Sequence, residues 1–239
     1  KRLKKSSLLE VLREVLGVSV TQNGGPGETA SVFVRGANSE HTLVLLDGVE
    51  LNDPINPSRS ADLAHLYLVD VDRIEVIRGP QSPLYGSDAL GGIINIITKK
   101  GQGKPRLSLS LSGGSYETFV AQAGVSGSVK KFNYSLAASR FGTGGVSAAD
   151  STLPGNSEKD SYRNLTLSGR AGLSLRKNLE VYVAVRSIQA RTDIDNYGGP
   201  YGDDPNNVQD YHSLVFNSGL RGLFLKNRWE QCFTIGMVA

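Results

Sequence analysis

From residue 107 to the end of the chain, apolar and polar side chains alternate with a period of two. In residues 165–175 the odd positions are Leu, Leu, Gly, Ala, Leu and Leu, and the even ones Thr, Ser, Arg, Gly and Ser. Leu179, Val181, Val183 and Val185 alternate in the same way with Glu180, Tyr182, Ala184 and Arg186. The period also marks residues 107–111, 119–125, 132–136, 214–224 and 229–237. Successive Cβ atoms of a strand point to opposite sides of the pleat, so each run reads as a strand with one apolar and one polar face. Seven such runs with no helical period between them predict an antiparallel meander. Short turns at residues 113–115, 127–130, 176–178 and 226–228 are interspersed with two long polar connections, 142–160 and 192–210. Tight turns at one end and long loops at the other are the pattern of a membrane-spanning barrel. A soluble sandwich or up-and-down barrel shows similar alternation, and the strand pattern alone leaves both open.

Residues 1–100 follow a different pattern. The spacing of Leu8, Leu9, Leu12, Val15 and Leu16 predicts a short amphipathic helix over residues 7–17. Ser7 is its expected N-cap, Glu10 completes a capping box, and Gly17 ends it. Short β-type runs follow at residues 18–21, 31–35, 42–46, 73–78 and 92–98, joined by Gly- and Pro-rich segments. This half reads as a compact α+β domain.

Composition removes several classes. Among 239 residues there is one cysteine, Cys232, which excludes a disulfide scaffold and a cysteine-based zinc site. No run approaches eighteen continuous apolar residues, so no transmembrane helix is expected. The net charge is only +3, and basic residues are scattered apart from Lys1, Arg2, Lys4 and Lys5, so nucleic acid is not an expected partner. The chain has no initiator Met and stops inside an alternating run, which suggests a piece of a longer protein. The histidines His41, His65 and His212 fall in no metal or triad arrangement, and no catalytic residue is predicted. The glycines between residues 79 and 86 lack a following Gly-Lys-Ser/Thr and precede a strand, which excludes a phosphate loop.

Longer motifs carry a resemblance. Thr21-Gln22-Asn23-Gly24-Gly25, Val32-Phe33-Val34-Arg35-Gly36 and Thr42-Leu43-Val44-Leu45-Leu46-Asp47-Gly48-Val49 resemble the plug domain of TonB-dependent outer-membrane receptors. So do Val71-Asp72-Arg73-Ile74-Glu75-Val76-Ile77-Arg78-Gly79-Pro80 and the run from Leu84 to Thr98, in the family's order and spacing. The resemblance implies an α+β plug over residues 1–100, followed over residues 101–239 by about seven antiparallel strands of a plugged transmembrane β-barrel of about 22 strands. It also implies an outer-membrane location, contact with lipid, and TonB as the energising partner through a TonB box upstream of Lys1. The expected function is active uptake of a bulky, scarce nutrient, with no covalent chemistry and no required cofactor.

Within the family, the cobalamin (vitamin B12) receptors are most alike. They carry similar runs at Gln22-Asn23-Gly24-Gly25, Ser60-Ala61-Asp62-Leu63, Tyr85-Gly86-Ser87-Asp88 and Arg191-Thr192-Asp193-Ile194-Asp195. Ferric-siderophore receptors share the general plug motifs, and a passive surface receptor for adhesion, phage or colicin is a third reading.

The resemblance also implies sites. Asn52, Asp53, Ile55, Asn56, Ser82, Leu84 and Tyr85 fall in plug loops that in cobalamin receptors rise toward the ligand. By themselves these are Asn/Asp/Pro turn segments; together they supply the apolar surface and amide groups that a large corrinoid needs. The run Asp53-Pro54-Ile55-Asn56-Pro57 stands where those receptors have small residues. Arg35, Glu75 and Arg78 are expected to face the inner wall as exchangeable polar contacts, the plainer alternative being a solvated strand face. Glu158, Asp160, Asp193, Asp195, Asp204 and Asp210 lie in or beside the long connections, where cobalamin receptors bind structural Ca²⁺; otherwise they are solvated acidic loops.

Overall fold

The computed structural model describes residues 5–53, 58–146, 159–194, 207–225 and 228–239. The first part runs α1 (Leu8–Leu12), β1 (Val18–Gln22), β2 (Ala30–Val34), β3 (Thr42–Leu46), β4 (Val49–Glu50), β5 (Val71–Arg78), α2 (Ser82–Tyr85) and β6 (Gly92–Thr98). The second part is seven longer strands: β7 (Arg106–Gly114), β8 (Thr118–Val129), β9 (Phe132–Thr143), β10 (Tyr162–Arg176), β11 (Leu179–Asp193), β12 (Val208–Phe224) and β13 (Trp229–Val238).

The first part is a plug built on two small sheets, β1-β2 and β4-β3-β6-β5. Every residue of β3 is buried, and β3 pairs in parallel with β6 through Val44 opposite Ile94 and Leu46 opposite Ile96. Leu8, Leu12, Val34, Leu63, Ile94 and Ile96 close the core around them. The expected helix is shorter than its apolar spacing suggests. It ends at Leu12, Leu16 is 83% exposed, and the chain turns through residues 13–17 so that Gly17, at φ +77°, feeds β1 into its pairing with β2. The Glu10 amide donates to Ser7 Oγ at 3.3 Å, as an N-cap requires. The Glu10 carboxylate takes the amide of Ser6 instead, at 3.1 Å, so the box closes one residue early.

All seven expected strands of the second part form one antiparallel sheet in chain order, with β7 and β13 at its edges. Each extends beyond its alternating run, because main-chain pairing continues past the last apolar residue. Even-numbered residues of β10, such as Tyr162, Asn164 and Thr166, are buried against the plug, whereas Leu165, Leu167 and Leu173 are exposed on the outer face. The polar face is therefore inside and the apolar face outside, the inverse of a soluble sheet and the arrangement of a barrel wall in lipid. Phe132, Phe224 and Trp229 edge the apolar band near the short-turn rim. Register places both long connections on the opposite rim, since Tyr162 pairs with Thr143 and Thr192, and Asp193 with Val208. The short turn after β7 lies on that same long-connection rim, because Gly114 pairs with Thr118 and Phe119 with Gly142. No helix among the described residues is long and apolar enough to cross a membrane, which does not bear on crossing by strands.

Candidate functional site

The plug meets the wall along a buried polar seam. Asp70, in the turn before β5, forms an ion pair with Arg186 of β11; their side chains are 6% and 4% exposed. Arg186 also donates through Nη2 to the Tyr67 carbonyl at 2.5 Å. Closer to the short-turn rim, Arg170 of β10 approaches Asp47 at 3.7 Å and lies 4.2 Å over the Tyr182 ring. Asp47 sits in the tight turn after β3, where its carboxylate accepts from the Thr98 amide at 2.9 Å and from Thr98 Oγ1 at 2.5 Å. Asn217 of β12 donates to the Asp47 carbonyl at 2.8 Å. Lower still, Lys100 pairs with Glu180 at 2.5 Å. Asp47, Asp70, Arg170, Arg186 and Asn217 also line a cavity of about 20 Å³, enough for one water-sized sphere. Among the described residues, Arg170 Nε, Arg186 Nε and Asn217 Oδ1 are buried there without a hydrogen-bond partner.

Near the long-connection rim the contact changes from charge to aromatic and amide groups. His65 is 1% exposed, shares a 3.0 Å hydrogen bond between Nδ1 and the Tyr162 hydroxyl, and stacks on Tyr211 at 4.3 Å. Asn164 donates to the Tyr162 hydroxyl at 3.0 Å and to the His65 carbonyl at 3.3 Å. Burial lowers the His65 pKa below its ordinary value, against an opposing pull from Asp62. Burial, together with Tyr162, raises Tyr67 well above the usual tyrosine value. Gly27, at φ +91°, packs directly on Tyr162 and Thr192, and a Cβ there would collide with the Tyr162 ring. That glycine lets the plug backbone touch the wall.

Topology raises two plug loops toward the long-connection rim. β3 and β6 run from that end toward Asp47 and Lys100, so the segments after β4 and before β6 lie at the plug apex. Asn52 belongs to the first, but the structure turns it inward, which corrects its assignment to a ligand-facing set. Its Oδ1 accepts from the Val44 amide at 2.9 Å, and its Nδ2 donates to the carbonyls of Thr42 and Arg59 at 3.2 and 3.0 Å. A buried amide with those partners fixes the loop and is not available to a ligand. Asp53 is exposed, while Ile55 and Asn56 lie outside the described residues. In the second loop Ser82 opens α2 and its hydroxyl is buried. Leu84 and Tyr85 stand out at 81% and 47% exposure and form an apolar apex.

The hydrogen bonds of Glu75 and Arg78 among the described residues stay within the plug. Glu75 accepts from Arg73 at 2.8 Å and from Asn95 at 3.4 Å, and Arg78 donates to the Leu16 carbonyl at 2.7 Å. Arg35 is exposed beside them at φ +53°. All three cluster about β5, an edge strand of its sheet that among the described residues pairs with β6. The seam residues Asp47, Asp70, Arg170 and Arg186 are instead the contacts that motif reading missed. A signal existed for two of them: Arg170 and Arg186 occupy the polar face in the middle of strands, where a charge needs a buried partner.

Asp160, Asp193 and Asp210 lie at the bases of the long connections, and Glu158, Asp195 and Asp204 lie outside the described residues. Asp193 accepts from Ser161 Oγ at 2.6 Å, and Asp210 lies 3.9 Å from Arg191. Among the described residues no three metal-ligating side chains converge.

Residues 1–93 match the sequence family described as the TonB-dependent Receptor Plug Domain. The whole chain is similar in fold to solved outer-membrane receptors. The ferripyoverdine receptor of Pseudomonas aeruginosa superposes with a TM-score of 0.74 at 14% identity, over 97% of this chain and 31% of the receptor. The FrpB iron transporter from Neisseria meningitidis (F3-3 variant) gives 0.78 at 12% identity, over 99% and 38%. The ferric yersiniabactin uptake receptor FyuA from Yersinia pestis gives 0.73 at 19% identity, over 98% and 38%. The chain thus spans about a third of the length of these receptors, and its fold is that of their plug with the first strands of their outer-membrane barrel.

Proposed function

We propose that this chain is the plug and first wall segment of a TonB-dependent receptor that draws a bulky, scarce metal complex across the outer membrane. The observation that carries this reading is the charge-paired, amide-rich part of the plug–wall seam, which flanks an apolar patch where Ile188 and Val215 of the wall join the plug core. A plug with its own core keeps its shape while hydrogen bonds to the wall exchange with water, so a pull from TonB can shift it without unfolding it. The ligand would settle on the exposed Leu84 and Tyr85, with Asp53 and the neighbouring loop supplying polar contacts. No bond is made or broken in the cargo.

Cobalamin is the first ligand to test, on the likeness of Gln22–Gly25, Ser60–Leu63 and Tyr85–Asp88 to the corresponding runs of cobalamin receptors. Ferric siderophores stand level with it: the fold neighbours include a ferripyoverdine and a ferric yersiniabactin receptor, and the run 53–57 departs from the cobalamin pattern. Binding of cyanocobalamin against ferric siderophores by the full-length receptor separates the two. Uptake that persists without TonB or a proton gradient would instead favour a passive surface protein. Calcium belongs to the cobalamin version: it would join Asp160 and Asp193 with the acidic residues of the long connections. A calcium titration of ligand affinity that stays flat removes it.

A further inference from the structure

The outer face of the wall carries a charged groove that transport does not use. Arg163 lies between Tyr162 and Asn164, both buried against the plug, and Arg191 between the buried Ala190 and Thr192. Alternation therefore aims both arginines outward, away from the lumen. The same holds for Arg140, which follows the buried Ser139. Register sets Arg163 directly opposite Arg191, and Arg140 opposite Leu165, one outward row nearer the apolar band. These three exposed guanidinium groups line a groove of about 320 Å³ together with Gln189 and His212. Asp210 stands directly opposite Arg191, 3.9 Å from it and more than half exposed, and Asp193 follows two residues along the same face, bonded to Ser161. Asp210 offsets one of these charges, yet Arg163 directly opposite Arg191 keeps the row net positive, and like charges so placed favour a further anion between them.

The surroundings identify the anion's carrier. Just beyond the groove the same face turns apolar through Leu136, Leu167, Val185 and Leu214, all at least 40% exposed. An amphiphile with a phosphate-bearing headgroup and acyl chains matches both parts at once, with phosphates in the groove and chains along the band. We infer that Arg140, Arg163 and Arg191 form a docking site for a phosphorylated lipid headgroup on the long-connection side of the membrane. This rests on the proposed membrane placement.

The test uses the full-length receptor in phosphatidylcholine nanodiscs doped with phosphatidic acid, released into neutral detergent, with retained lipids counted by native mass spectrometry. Wild type should retain phosphatidic acid over phosphatidylcholine, less so at high salt. Each basic group near the surface contributes roughly fivefold, so Arg140→Gln/Arg163→Gln/Arg191→Gln should abolish the preference. If the triple variant does not assemble, Arg163→Gln alone should show about a fivefold loss. Equal retention by wild type and variant overturns the site. Displacement of the lipid by inorganic phosphate at matching concentration also overturns it, leaving a simple anion site. Failure of wild type to enter nanodiscs overturns the membrane placement itself, and shows before any lipid is counted.

Discussion

The plug core and the plug–wall seam are both buried, yet the seam is far richer in charged and amide groups. Leu8, Leu12, Leu63, Ile94 and Ile96 fill the core with side chains at most 2% exposed. The seam is held by Asp70 with Arg186, Asp47 with Arg170, and amides such as Asn164 and Asn217, beside an apolar patch where Ile188 and Val215 of the wall meet the core. Apolar burial is non-directional and holds until the chain unfolds. A buried ion pair adds little net stability, because desolvation offsets its attraction, but it is demanding about its partner. The difference separates two jobs: the core sets the shape of the plug, and the seam sets where it sits. The polar part of such a seam can be exchanged for water at modest net cost, whereas the core and its apolar contact with the wall cannot.

The sharpest way to break that comparison is to leave one seam charge alone. Asp70→Ala strands the Arg186 guanidinium in a site that is almost fully buried. The expected cost is about 3–5 kcal/mol, the range for a buried pair that loses one partner. Hydrogen exchange on the full-length protein should speed up around residues 65–71 while β3 and β6 stay protected. Loss of protection throughout the plug would show that seam and core are one cooperative unit.

The reciprocal substitution is Leu63→Ala, at a fully buried position. It should cost about 2–5 kcal/mol through lost burial and the cavity left behind. Here β3 and β6 should lose protection first. If only the seam exchanges faster, the assignment of shape to the core fails.

A smaller effect is expected at the apex. Leu84→Asp with Tyr85→Asp alters side chains already exposed, so folding should be unchanged. Ligand affinity should fall by about tenfold or more, since a buried apolar side chain is worth roughly 1.5–3 kcal/mol. Unchanged affinity for both cyanocobalamin and ferric siderophores would remove the apex from the site.

Much of the wall was legible in the sequence, because an apolar outer face and a polar inner face impose a strict period of two. A slip of one residue would exchange the faces, so the register is strongly determined. The helix was overread because Leu16 continues the apolar spacing although the chain has already turned to feed β1. Asn52 was read as ligand-facing because its residue type suits a turn and a binding loop equally well. Only the fold shows that its amide closes on Val44, Thr42 and Arg59. The seam pairs were not legible as pairs: Asp70 and Arg186 stand 116 positions apart, and neither belongs to a motif.

The smallest effect concerns His65, where the comparison can be tuned instead of broken. The imidazole is buried at the seam between the Tyr162 hydroxyl and the Tyr211 ring, with Asp62 the nearby acidic group. Burial lowers its pKa, so the docked plug favours the neutral ring, while a released plug binds a proton near pH 6.5. The docked state binds fewer protons, so the His65 contribution is complete above about pH 6.5 and is lost as the pH falls toward the lowered value. One proton limits the slope to about 1.4 kcal/mol per pH unit. Exchange of amides near residues 63–67 should therefore accelerate as the pH falls below about 6.5 in wild type, after correction for intrinsic rates. His65→Gln cannot titrate in that window and should give a flatter profile. The same acceleration in the variant would assign the acid response to another group, and the upper seam would then be insensitive to His65 protonation.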